Sequence, residues 1–229
     1  MDLPILYRDA HLVAIHKPPG LLMHRSPISR DEVVVVQTLR DQIGQRVYPV
    51  HRLDRATSGL VILGLTPEVA RLLAAAFTEG RVEKEYLALA RGWTADTGLI
   101  DHPVADEDGN NLPQAARTRY RTLARVEIAQ AVDRYPTARY SLISAQPLTG
   151  RRQQIRKHFK HISHHLIGDT THGNGRQNRF FREHFGIHRL MLLAHRLTFT
   201  HPCSGEPISL IATPEAEWQR IATAFGWTL

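Results

Sequence analysis

Cysteine is almost absent. Cys203 stands alone in 229 residues, so the chain can close no internal disulfide and build no thiolate zinc module, a usage that fits a reducing compartment. Long apolar runs are missing too: no stretch approaches the roughly 20 apolar residues that a membrane-spanning helix needs. Met1-Asp2-Leu3-Pro4 offers neither the charged nor the apolar region of a secretion signal, so a soluble cytoplasmic protein without a membrane partner is expected. The chain has no glycine-rich phosphate loop and no Asp-Phe-Gly, which excludes kinase-type phosphoryl transfer although His51-Arg52-Leu53-Asp54 superficially suggests it. Repeats, linkers and low-complexity tracts are absent, and no acid lies between Asn110 and Glu127.

What is present points to a polyanion. Lys and Arg number 29 against 22 acids, a net charge of +7 with a pI near 10.0, and such a surface attracts nucleic acid. Fourteen histidines can add charge in mild acid or beside phosphates. With 42% apolar residues the chain can bury a sizeable core, and one domain over residues 1–229 is expected.

The stretch His51-Arg52-Leu53-Asp54-Arg55-Ala56-Thr57-Ser58-Gly59 runs directly into Leu60-Val61-Ile62-Leu63-Gly64-Leu65. A short apolar run bounded by glycine suits a buried strand, which places Asp54 in the connection entering a rigid core element. Arg52 and Arg55 favour the ionised carboxylate, hence a nucleophile or a base and not a general acid. As a plain surface ion pair the same residues would be worth little.

Thr149-Gly150-Arg151-Arg152-Gln153-Gln154-Ile155-Arg156 is the second informative stretch. Helical spacing puts Ile155, Phe159 and Ile162 on one face and Arg152, Arg156 and Lys160 on an adjacent stripe, with Arg156 at the rim of the buried face where its guanidinium can be aimed at a carboxylate. His158, His161, His164 and His165 follow. Their spacing could suit a metal, but the surrounding basic residues oppose a cation and no acid or thiol joins them, so no metal site is expected and phosphate contact is preferred.

Elsewhere, strands are expected around 11–16, 59–65, 84–90, 117–123, 139–145, 190–194 and 208–211. Lys17-Pro18-Pro19-Gly20 reads on its residues alone as a plain turn, and His24 to Asp31 as turn-like. A helix entered from a loop is expected over 33–43. Thr66 as N-cap and Pro67 at the first helical position start another, with Val69, Leu72, Leu73, Ala76 and Phe77 at helical spacing and Gly80 at its stop. Residues 94–115 read as loop, with an acidic turn over 105–111 directed away from phosphate. Arg117, Arg119 and Arg121 share a strand face that is either solvated or directed at RNA. Thr213-Pro214-Glu215 begins a last helix with Trp218, Ile221, Ala222 and Phe225 inward.

His51 to Gly59 resembles the H-R-L-D-x-x-T-S-G signature of the RluA family of pseudouridine synthases. Gly150 to Arg156 resembles its G-R-x-H-Q-[IL]-R motif, with Gln153 in the histidine position. Lys17-Pro18-Pro19-Gly20 is similar to a family turn near the catalytic cleft, and Lys84-Glu85-Tyr86 to the strand carrying an active-site tyrosine. His165-Leu166-Ile167-Gly168-Asp169 and Arg189-Leu190-Met191-Leu192-Leu193-Ala194 resemble two further motifs, with Leu166 replacing proline and Leu193 replacing histidine. The resemblance runs through nearly the whole chain. It implies an α+β fold with a mixed, mainly antiparallel sheet split by a central cleft and flanked by helices. Family members often carry an N-terminal S4 module; because the first strand begins almost immediately here, none is expected.

The resemblance also implies the chemistry. Asp54, Tyr86 and Arg156 are the expected catalytic residues, with Arg156 pairing with Asp54. Arg52, Arg55, Lys84, Arg151, Arg152, Gln154 and Lys157 are the expected substrate and RNA contacts. Uridine becomes pseudouridine when the N1–C1′ bond breaks, the uracil turns and C5 takes the bond to C1′, with no cofactor and no metal. Asp54 would attack C1′, add to C6, or take the C2′ proton; these routes stay open. A glycoside hydrolase would need a second carboxylate, which none of these motifs supplies. Tyr86 would stack on the flipped base and relay the C5 proton, and Arg52 would fill the vacated stack. The stretches Val33 to Gln45, Arg176 to Arg179 and Glu183 to Gly186 resemble the branch acting on uridine 65 of the tRNA T-arm. Another RNA site, ribosomal RNA included, or an RNA-binding protein without catalysis are the alternatives. A monomer with no protein partner is expected.

Overall fold

Local chemistry sets the elements. Thr66 Oγ1 accepts the Val69 N–H at 3.2 Å and Pro67 follows at the first helical position, so the helix begins where the sequence predicts. The computed structural model describes residues 1–25, 33–105 and 112–229. In chain order the elements are β1 (Ile5–Arg8), β2 (Leu12–Lys17), α1 (Val35–Ile43), β3 (Tyr48–Pro49), β4 (Ser58–Gly64), α2 (Pro67–Thr78), β5 (Glu83–Arg91) and β6 (Thr97–Asp101). They continue with β7 (Arg117–Ile128), β8 (Ala138–Pro147), α3 (Gln154–His161), α4 (Gly175–Phe185), β9 (Leu192–Thr200), β10 (Pro207–Ile211) and α5 (Ala216–Phe225).

The chain divides into two compact units. The first comprises Met1–Lys84 and Ala194–Ala212. There β2 pairs antiparallel with β1 and with β4, from Leu12 opposite Gly64 to Lys17 opposite Gly59, and β9 pairs antiparallel with β10. The whole of β4 is buried, as are Leu12 to Ile15 of β2, because both strands read as continuous apolar runs.

The second unit comprises Glu85–Leu193 and Thr213–Leu229. Here β5, β8, β7 and β6 follow one another, each pair antiparallel. Tyr86 lies opposite Ala145, and Ala145 opposite Tyr120, so strand alternation puts Tyr86 and Tyr120 on one face. Helix α3 covers that face, with Phe159 edge-on to Tyr120 at 5.6 Å between centroids. On the other face Tyr140 of β8 packs against Phe181 of α4 and Phe225 of α5.

The α+β class with mainly antiparallel strands agrees with expectation. Four elements do not, among them the two-residue strand β3. β1 was not foreseen, since only Tyr7 of its residues is even partly covered. The stretch 94–115, expected to be loop, contains β6, where a single buried residue, Ile100, leaves no alternation to see. Helix α4 was missed because its buried side chains reduce to Gln177, Phe180 and Phe181 in a polar segment. The expected acidic turn at 105–111, from residue 106, and the turn expected at His24 to Asp31, from residue 26, lie outside the described residues. No helix among the described residues is long and apolar enough to cross a membrane.

Candidate active site

In the first unit the Asp54 loop is fastened from behind. Lys17, fully buried, donates from Nζ to the carbonyls of Pro18 (2.9 Å) and Arg55 (3.2 Å). Gly20 N–H donates to the same Arg55 carbonyl at 2.7 Å, and Arg55 Nε donates to Gly20 O at 3.0 Å. The turn that on its residues alone looked plain is thus a clasp on the residue following Asp54. Thr57 N–H donates to Asp54 O at 3.1 Å and closes the loop, Leu53 is buried beneath it, and Asp54 is half-buried. Gly59, at φ 108°, could carry no side chain: a Cβ would sit 2.2 Å from the Ala194 carbonyl oxygen.

His51 anchors the front of the loop. Its Nε2 accepts the Ile62 N–H at 3.0 Å and its ring stacks on Phe77 at 4.3 Å. Burial, with the Lys84 ammonium adding to it, pushes its pKa down to about 3, so this histidine is neutral and positions the loop. Burial likewise lowers the Lys84 pKa. Arg52 is exposed.

In the second unit Arg156 is more deeply placed than its expected rim position. It is 5% exposed and makes a two-pronged ion pair with Asp169, Nε to Oδ2 and Nη2 to Oδ1, both at 2.7 Å. Asp169 also accepts the backbone N–H groups of Thr171 and His172 at 2.9 Å each. Burial pushes the Asp169 carboxyl up, but the Arg156 guanidinium and those N–H groups outweigh it and hold the pKa below the usual value. Gly168 makes this turn possible, since at φ 77° a Cβ would lie 1.8 Å from Arg189 O.

The predicted stripe of Arg152, Arg156 and Lys160 does not form, because α3 begins only at Gln154 and Gln153 before it is left-handed at φ 56°. Arg152 is therefore exposed off the helix. Gln153 Oε1 meets His172 Nε2 at 2.7 Å. Gln154, expected to touch RNA, has its amide engaged inside the protein. It accepts from Thr149 Oγ1 (2.7 Å) and Arg151 N–H (3.0 Å), and donates to Arg117 O (2.9 Å) and Thr118 Oγ1 (3.0 Å). It shapes the turn before Arg156.

Tyr86 is half-buried on the face that α3 covers. Arg117, Arg119 and Arg121 are exposed on the opposite face of the same strands. Arg151 is exposed, with Nε donating to Ala115 O at 3.3 Å, and Lys157 donates to Ala105 O at 2.6 Å. Of the four neighbouring histidines, His158 is buried between Thr118 Oγ1 and His102 O, both 2.9 Å away, and is unsuited to phosphate. Its pKa is lowered by burial. His164 and His165 hold the Arg91 and His172 carbonyls at 2.8 and 2.9 Å. Among the described residues no group of three His, Cys, Asp or Glu is placed to hold a metal.

The model of the family described as RNA pseudouridylate synthase matches residues 11–161, which contain both the Asp54 loop and Arg156. The chain belongs to this family. Among relatives, tRNA pseudouridine synthase C of Pectobacterium carotovorum subsp. carotovorum is 50% identical over 235 residues, covering 98% of this chain and 62% of that protein. The chain thus spans less than two thirds of that relative's length. The Salmonella typhi protein of the same name is 48% identical over 235 residues, covering 98% of this chain and 90% of its own. The solved structure of human RNA Pseudouridylate Synthase Domain Containing 1 covers 93% of this chain and 84% of itself at 25% identity and TM-score 0.73. That of Domain Containing 4 reaches TM-score 0.77 at 20% identity over 99% and 94% of the two chains, a likeness of fold.

As a pseudouridylate synthase family member the chain departs at Leu166 and Leu193, which are 1% and 0% exposed, so apolar packing occupies those two places. The sequence reading missed Asp169 and the clasp of Lys17. The Gly168-Asp169 turn was visible, but nothing along the chain announced that its carboxylate meets a guanidinium 13 positions earlier.

Proposed function

We propose that this chain is a tRNA pseudouridine synthase of the C type that isomerises uridine 65, with Asp54 as the reacting carboxylate. The observation that carries the reading is the clasped loop: a carboxylate on a backbone fixed by Lys17, Gly20 and Arg55 ahead of a fully buried strand. Such a frame holds a reactive oxygen in place before substrate arrives. Relatives named for this activity on tRNA, similar over 98% of the chain, support the substrate class.

In the proposed reaction the N1–C1′ bond of uridine breaks, the uracil turns in place, and the C5–C1′ bond forms. The C5 proton leaves and N1 gains one, so the atoms balance without a co-reactant, cofactor or metal. Asp54 attacks C1′, adds to C6 or removes the C2′ proton. Tyr86 stacks on the flipped base and relays the C5 proton; such stacking is worth about 1–3 kcal/mol per base. Arg156, held by Asp169, is the third catalytic residue, as the family resemblance implies. Arg52 fills the vacated stack, and Arg55, Lys84, Arg151, Arg152 and Lys157 meet the RNA. The chain works as one catalytic domain, a cytoplasmic monomer.

The test is pseudouridine mapping of total RNA from cells lacking the gene, with and without complementation by Asp54→Ala. Loss at tRNA position 65, restored by the wild type alone, is the expected result. Loss in ribosomal RNA or at another tRNA site would reassign the substrate, and no loss anywhere would favour an RNA-binding role without catalysis.

A further inference from the structure

Next to Arg156, helix α3 carries Lys157, Lys160 and His161, and these line a cleft of about 480 Å³. His102, Pro103, Val104, Ala105 and Pro113 form its other side, and His172 borders it. The volume falls in the range of about 300–1,000 Å³ common for small-ligand sites.

The walls have two characters. On one side stand two ammonium groups: Lys160 is exposed, and Lys157 gives one of its three protons to Ala105 O. On the other, prolines and Val104 adjoin the ring of His102, on which His161 of α3 stacks at 3.6 Å between centroids and 12°. His158 Nε2 holds the His102 backbone by meeting its carbonyl oxygen at 2.9 Å. A free anion has no use for the apolar side, and an apolar ligand has none for two lysines. A nucleotide unit needs both, a phosphate contact and a flat surface for sugar and base.

We propose that this cleft receives one nucleotide of the substrate RNA other than the isomerised uridine, its phosphate against Lys157 and Lys160 and its base and ribose against the proline and imidazole side. The proposal rests on the RNA-modifying function argued above. His172 links the cleft to Arg156, since its backbone N–H holds Asp169 and its ring meets Gln153.

Two variants test it on a tRNA transcript, Lys160→Ala and Ala105→Trp, both at exposed positions where folding tolerates change. Lys160→Ala removes a charge; Ala105→Trp fills the mouth and removes none. Both should raise KM and the dissociation constant roughly fivefold with kcat unchanged, and Lys160→Ala alone should lower the slope of log K against log salt by about 1. If Ala105→Trp leaves KM and the dissociation constant at wild-type values, the cleft is not entered and the proposal is overturned, even where Lys160→Ala still lowers the slope. A wild-type protein that binds the transcript without isomerising it would count against the function and not the cleft, which the binding arm reads on its own.

Discussion

Arg156 and Asp169 meet through two hydrogen bonds of 2.7 Å, with side chains 6% and 1% exposed. Parallel N–H···O contacts fix the plane of the guanidinium as well as its distance. Asp169 is in turn fixed by two backbone N–H groups, so the arginine expected to act in catalysis has one orientation built into the fold.

Asp169→Ala should therefore both unfold and disarm the protein. Removing one partner of a buried pair typically costs about 3–5 kcal/mol, which denaturant titration will read. At temperatures where the variant stays folded, kcat should fall far more than RNA affinity, because orientation is lost and not charge. The pair also dictates an acid limit. The folded Asp169 pKa is depressed, so the unfolded chain binds the proton more readily, and the stability from this group is complete above its unfolded pKa of about 3.9 and lost as pH falls through the lower folded value. Asp169→Asn should lack that component when stability is followed from pH 6 downward.

His51 works at a higher pH. Its folded pKa of about 3 lies below the ordinary 6.5, so between those values the unfolded chain holds a proton that the folded one excludes. Stability should decline with falling pH by up to about 1.4 kcal/mol per unit across that window. His51→Gln, which keeps a side-chain acceptor for the Ile62 N–H, should be flatter from pH 6.5 to 3 in urea titrations; an unchanged pH profile would place the sensitivity elsewhere.

Lys17→Met separates packing from clasping. Methionine fills similar space but leaves the Pro18 and Arg55 carbonyls without the ammonium that now serves both. The Arg55 carbonyl keeps the Gly20 N–H, so the loss falls on the Pro18 carbonyl, and an acceptor left unsatisfied costs about 1–3 kcal/mol. Amides of residues 54–57 should exchange with solvent faster, and kcat should drop while RNA binding changes little.

Much of this was legible in the chain. His51 to Gly59 announced a site because a carboxylate flanked by arginines ahead of an apolar strand is unusual surface composition, and Thr66-Pro67 announced a helix start because both residues have one local use there. Relations between distant residues were not legible. Nothing in Gln154 shows that four partners consume its amide, and nothing in Arg156 shows Asp169 or its depth of burial. The exposed β1 and β6 leave no periodic trace, since a strand with one covered residue or none has no alternation to display. Arg117, Arg119 and Arg121 could be placed on a common face by period two, but only the register with Tyr86 through Ala145 shows that it is the face away from α3.

The most direct measurement is single-turnover isomerisation of a tRNA transcript by purified Asp54→Asn, with binding measured on the same preparation. Replacing the carboxylate by an amide of the same shape should abolish pseudouridine formation while the dissociation constant stays within a few-fold of wild type. A folded Asp54→Asn protein that still forms pseudouridine within about tenfold of the wild-type rate, under 1.4 kcal/mol of barrier, would contradict the account at its centre.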